Sequence, residues 1–263
     1  MTENESKIRV GAVSFLNTVP LIWGMAHGPQ QQEVDLSFSI PSECARQVED
    51  GRIQIGLVPV AEIARQGLEM VPGVGISCYG AVRSILLFSR VPWRQVRTLA
   101  ADLSSRTSVQ LARVILRERY GVEADMTERA PALNEMIASA DAALIIGDPA
   151  LRIEAEQCGL EWLDLGAEWL ALTGLPMVFA AWAGKPGLPV ERLRAITVGS
   201  YEFGRARIDE IVKREHERRG VSAALANKYL REHIRFELGN EEQQGLNTFW
   251  EMAKLNDYAT TGD

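Results

Sequence analysis

Along the chain, short apolar runs alternate with stretches whose apolar positions recur every three to four residues. "KIRVGAV", Lys7 to Val13, reads as a buried strand. "TVPLIWGMAHG" reads as a helix with Pro20 in its first turn, where a missing N–H is tolerated. "VDLSFSI" alternates apolar and polar positions as a half-buried strand does. "PSECARQVEDGR" opens on Pro41 and Ser42 and closes at Gly51, the pattern of a helix. "IQIGLVPV" is strand again, and the helical "AEIARQG" follows. This β-α-β-α rhythm predicts a parallel sheet covered by helices.

Two longer apolar segments break the rhythm. "AVRSILLFSR" (Ala81 to Arg90) and "LPMVFAAWAG" (Leu175 to Gly184) read as extended strands, with a second βα series between them. From Pro189 onward the pattern is almost wholly helical, and its Arg and Glu runs read as solvated helix faces. The predicted architecture is α/β with two lobes joined by two crossing strands. Residues 1–88 together with 184–263 form one lobe, 89–183 the other, and a ligand cleft lies between them.

The chain has 263 residues, 46% of them hydrophobic and 24% charged, which fits an ordinary globular protein. A net charge of −7, with no basic run, argues against a nucleic-acid partner. Cys44, Cys78 and Cys158 are scattered and odd in number, as reduced thiols of a cytoplasmic protein are. His27, His216 and His233 stand far apart, so no metal-ligand spacing is visible. No signal-peptide pattern and no membrane-length apolar run occur, and the expected location is the cytoplasm.

Four stretches carry candidate chemistry. In "VGAVSFLNTVPLIWG", Ser14, Asn17 and Thr18 follow a strand; they serve as turn and cap residues or as one wall of a ligand site. In "DLSSRTSVQLARVIL", Ser104, Ser105, Thr107 and Ser108 cluster with Arg106 at a helix start, more hydroxyls than a cap needs. Free N–H groups and the helix dipole there suit a carboxylate, with Arg106 as a further donor. In "LIIGDPAL", Gly147 and Asp148 follow a strand; Asp148 is either the cap of the next helix or an acid or base facing the cleft. In "IGLVPVAE", backbone around Gly56 to Pro59, Leu57 and Val58 above all, is expected to approach a ligand, and Ser84 is a polar group in an otherwise apolar strand.

These blocks, with "YGAVRSILLFSR", "ADAALIIGDPAL" and "DLGAEWLALTGLPMVFAAWAG", stand in the order found in the chorismate dehydratase family, which the sequence resembles over about residues 7–260. That family acts first in the futalosine route to menaquinone and has the fold of type II periplasmic binding proteins. Phe15 replaces the family's usual tyrosine. A relative on the same route, the dihydroxynaphthoate synthase, works with a histidine where this chain reads Ile146-Gly147-Asp148, so the residues side with the dehydratase.

The resemblance implies removal of water from chorismate to give 3-[(1-carboxyvinyl)oxy]benzoate, with no metal or organic cofactor. Charge left by the C3 proton spreads through the ring diene into the C1 carboxylate, and hydroxide leaves from C4. Donors at Ser104 to Ser108 then suit the carboxylates, while Asn17 and Thr18 suit the ether or the leaving hydroxyl. Candidates for the base are Asp148, the Ser84 hydroxyl and the substrate's own enolpyruvyl carboxylate, the last being preferred with Asp148 mainly structural. The rival reading is a solute-binding protein for a small anionic carboxylate.

Overall fold

A computed structural model describes residues 7–102 and 106–255. The chain begins with β1 (Ile8–Val13), α1 (Val19–His27), β2 (Val34–Ser39), α2 (Pro41–Glu49), β3 (Ile55–Pro59), α3 (Val60–Gln66) and β4 (Glu69–Cys78). A second series follows: β5 (Ile85–Ser89), β6 (Thr98–Ala101), α4 (Arg106–Tyr120), β7 (Asp125–Glu128), α5 (Leu133–Ser139), β8 (Ala142–Ile146), α6 (Gly147–Leu151), β9 (Glu161–Asp164) and α7 (Leu165–Thr173). Then come β10 (Met177–Gly184), α8 (Val190–Arg205), α9 (Ile208–Glu215), α10 (Ala223–Lys228), β11 (Arg235–Glu237) and α11 (Asn240–Met252).

Two sheets result. A six-stranded sheet runs β11-β4-β10-β3-β1-β2 and a five-stranded sheet runs β7-β6-β8-β5-β9. The βα units pair in parallel, as their rhythm predicts: β1 with β2 and β3, and β6 with β7 and β8. The remaining strands pair antiparallel, β10 with β3 and β4, and β5 with β8 and β9. Both sheets are therefore mixed. The C-terminal segment is not all helix either, since β11 adds an antiparallel edge to β4.

Strand structure in Ala81–Arg90 starts only at Ile85. Before it the chain turns sharply, with φ of +107° at Gly80 and +64° at Arg83. Asp164 explains why the turn is held. Its buried carboxylate accepts from Val82 N (2.9 Å) and Arg83 N (2.6 Å), and also caps α7 through Gly166 N and Ala167 N. Amides that would extend the ladder are thus used by the start of α7. Burial pushes the Asp164 carboxyl above its ordinary range, while the four N–H groups pull it back. The Arg83 side chain leaves in the other direction, to the carbonyls of Ala150 and Ile153.

The C-terminal helices pack on the first sheet. Ser200 of α8 accepts from Met25 N of α1 at 3.0 Å, and Phe249 of α11 meets Trp169 edge-on. No helix among the described residues is long and apolar enough to cross a membrane.

Candidate functional site

The end of β1 and the turn after it meet the end of β8 and the start of β5 at a cleft partly open to solvent, about 60 Å³ in volume. The walls are mostly apolar, with Phe15, Ile76, Val82, Ile146 and Phe179 among them. Among the described residues, the polar side chains in the lining are Asn17, Thr18, Ser84 and Ser108, and none is charged. Both sheets contribute: Leu57 and Phe179 come from the six-stranded one, Ile85 and Ile146 from the other.

Gly147 has a left-handed backbone, φ +65°, and a Cβ there would stand 2.7 Å from the Phe15 ring. Only glycine allows both the turn and the ring that closes over it. Asn17 lies in a 3₁₀ turn, Leu16–Thr18, that leads directly into α1. Its Oδ1 and the Oγ1 of Thr18 are buried with no hydrogen-bond partner. Buried polar atoms are nearly always paired, so two such atoms in one cleft wall call for a ligand. Ser108 stands in the first turn of α4, at the positive end of the helix dipole, which favours a carboxylate.

The Ser84 hydroxyl is held from behind. Tyr229, fully buried, donates from Oη to Ser84 Oγ at 2.8 Å. Burial pushes the Tyr229 phenol above its ordinary range, and its contacts with Ser84 and Asn17 act the other way. Among the described residues no three His, Cys, Asp or Glu gather as a metal site.

Other expected residues have different places. Asp148 does not cap α6 and is not among the cleft-lining residues. Its Oδ1 accepts from Leu16 N at 2.9 Å and its Oδ2 from Arg219 Nη1 at 2.7 Å. Arg219 also holds the Ser14 carbonyl at 2.6 Å and Glu215 at 3.1 Å. Asp148 and Arg219 therefore tie the turn after β1 to the start of α6, fixing the two edges that Phe15 and Gly147 occupy. Ser14 is exposed and joins this tie through its backbone alone.

Thr107 is buried, but its Oγ1 accepts from Ala61 N at 3.2 Å, at the start of α3, and it is not in the lining. Arg106 pairs with Glu62 at 3.0 Å on the surface. Val58 is buried in β3; its neighbours Leu57 and Pro59 reach the cleft instead, as alternation along a strand requires. Ser104 and Ser105 lie outside the described residues. Tyr229 and Arg219 were missed by the sequence reading, and no local pattern points to either.

The menaquinone-biosynthesis family model matches residues 8–255. A curated relative, the chorismate dehydratase of Thermus thermophilus, is 26% identical over 270 residues, covering 94% of this chain and 95% of that one. Among solved structures, a protein from Archaeoglobus fulgidus matches with a TM-score of 0.77 at 16% identity, over 97% of this chain and 99% of that one. The periplasmic aliphatic sulphonate binding protein SsuA from Escherichia coli matches with a TM-score of 0.63 at 15% identity, over 93% and 87%. The fold is thus that of periplasmic binding proteins.

Proposed function

Because the chain belongs to the menaquinone-biosynthesis family, we propose that it is a chorismate dehydratase, a lyase that converts chorismate to 3-[(1-carboxyvinyl)oxy]benzoate and water. The observation that carries the reading is the pair of buried, unpartnered oxygens, Asn17 Oδ1 and Thr18 Oγ1, in a cleft lined by the hydroxyls of Ser84 and Ser108, with no charged side chain among the described lining residues. A substrate with two carboxylates and one hydroxyl supplies the missing partners. The similarity to the chorismate dehydratase of Thermus thermophilus supports the assignment.

The substrate carboxylate on C1 sits at Ser108 and the N-terminal turn of α4, where donors meet the charge that grows as the C3 proton leaves. That charge passes through the diene to the carboxylate. The C4–O bond then breaks, hydroxide departs with the proton taken from C3 as water, and the ring becomes aromatic. Asn17 Oδ1 accepts from the C4 hydroxyl, and Ser84 donates to a substrate oxygen. The base is the substrate's own enolpyruvyl carboxylate, folded over the ring by the apolar walls. Asp148 is committed to Leu16 N and Arg219, which supports a structural role.

Purified protein incubated with chorismate, then separated by chromatography and weighed by mass spectrometry, tests the reading. The expected product has lost one water. Chorismate bound and recovered unchanged fits a solute-binding protein for anionic carboxylates instead.

A further inference from the structure

Tyr229 is absent from the cleft lining yet hydrogen-bonds Ser84, one of the polar side chains that form it, and interacts electrostatically with a second, Asn17. It opens a π-turn, Tyr229–His233, at the end of α10. Such turns are rare and redirect a side chain off the α-helical track, often at functional sites. Here the ring is carried wholly into the interior, 145 residues from Ser84 in sequence.

The polarity of the contacts can be worked out atom by atom. Tyr229 Oη has one proton, and it goes to Ser84 Oγ at 2.8 Å. Asn17 Oδ1 has no partner, and Asn17 favours the ionised phenol, as an amide N–H turned toward Oη does. The order is thus directed: the amide side of Asn17 faces Tyr229, and Tyr229 Oη donates to Ser84 Oγ. Ser84 Oγ accepts from the tyrosine, so its own proton points away from it. Asn17, donating backward, presents its carbonyl oxygen forward. Without the tyrosine hydroxyl, both the serine rotor and the amide lose the group that fixes which end faces the ligand.

We propose that Tyr229 is a positioning residue, which sets Ser84 as a hydrogen-bond donor and Asn17 as an acceptor toward the molecule in the cleft. The proposal deepens the dehydratase reading and rests on it for its kinetic arm. Tyr229→Phe keeps the ring and its packing and removes only the hydroxyl.

The expected result is a fall of about tenfold in kcat for chorismate with melting temperature little changed. The combined Ser84→Ala, Tyr229→Phe variant is expected to fall by less than the product of the two single effects, because part of the tyrosine's action passes through the serine. An unchanged kcat in Tyr229→Phe, or an equal further fall in the Ser84→Ala background, overturns the proposal. A second arm does not depend on activity. In the free protein, proton NMR is expected to show a slowly exchanging hydroxyl resonance that vanishes in Tyr229→Phe and shifts in both Ser84→Ala and Asn17→Ala. No such resonance, or one indifferent to Ser84→Ala, overturns it. If the wild type shows no turnover, the dehydratase reading fails, and the NMR arm alone decides the positioning role.

Discussion

Replacing Asp148 by Asn keeps the side chain's shape and one acceptor while removing its charge. Oδ1 still takes the Leu16 N–H, now 2.9 Å away, but the new amide turns a donor toward the Arg219 guanidinium, where a 2.7 Å ion pair stood. The side chains of Arg219 and Asp148 are 15% and 11% exposed, so solvent compensates little. Breaking one partner of a buried pair costs roughly 3–5 kcal/mol when the other is stranded. Arg219 is not stranded, since Glu215 and the Ser14 carbonyl still hold it. The expected loss is therefore about 2 kcal/mol. For a chain of this size that lowers the melting temperature by roughly 4–8 °C. Turnover should change far less, because Asp148 is outside the cleft lining. A fall in kcat of about tenfold or less is expected as the tied edges loosen. Thermal melts and steady-state kinetics with chorismate measure both effects. A loss of about a thousandfold in kcat, with melting temperature and affinity intact, would make Asp148 the proton acceptor and refute the structural reading.

Thr107→Ala leaves the buried Ala61 N–H without its acceptor, a cost of about 1–2 kcal/mol. Melting temperature should fall by roughly 2–8 °C with kcat within about threefold of wild type; a large loss of turnover without destabilisation would put Thr107 in the cleft. Burial pushes the Cys44 thiol up to about 12 and raises that of Cys78, while Cys158 is partly exposed. Thiol titration of the native protein at mildly alkaline pH should thus show one reactive group, lost in Cys158→Ser, and three only after unfolding; fast reaction of a second group would contradict the buried placement.

Much of this arrangement is written locally. The periodicities mark the elements of the first βα series from β1 to α3, and the polar ends of β1 and β8 mark where a cleft begins. Asn17, Thr18, Ser84, Ser108 and Gly147 all reach that cleft. What the sequence hides are partnerships across long separations. Asp148 next to Pro149 looks like the cap of its own helix, yet it serves Leu16, 132 residues away. Thr107 looks like one more donor in a hydroxyl cluster, yet its oxygen is taken by Ala61. Arg219 and Glu215 sit in a run of charges with the spacing of a solvated helix face, but their side chains are 15% and 7% exposed, and Arg219 reaches across to the Ser14 carbonyl and Asp148. Tyr229 carries no motif at all. Its role follows from the π-turn, and a one-residue widening of a helix leaves no periodic signature.

The most direct test is proton NMR of chorismate with catalytic amounts of the protein, in buffer containing a chelator, with Asn17→Ala as a parallel sample. The predicted result is loss of the ring signals at C3 and C4, growth of aromatic signals with the enolpyruvyl group intact, and a far slower course in Asn17→Ala. Broadened but unchanged chorismate signals, or equal rates in the two samples, would contradict the account.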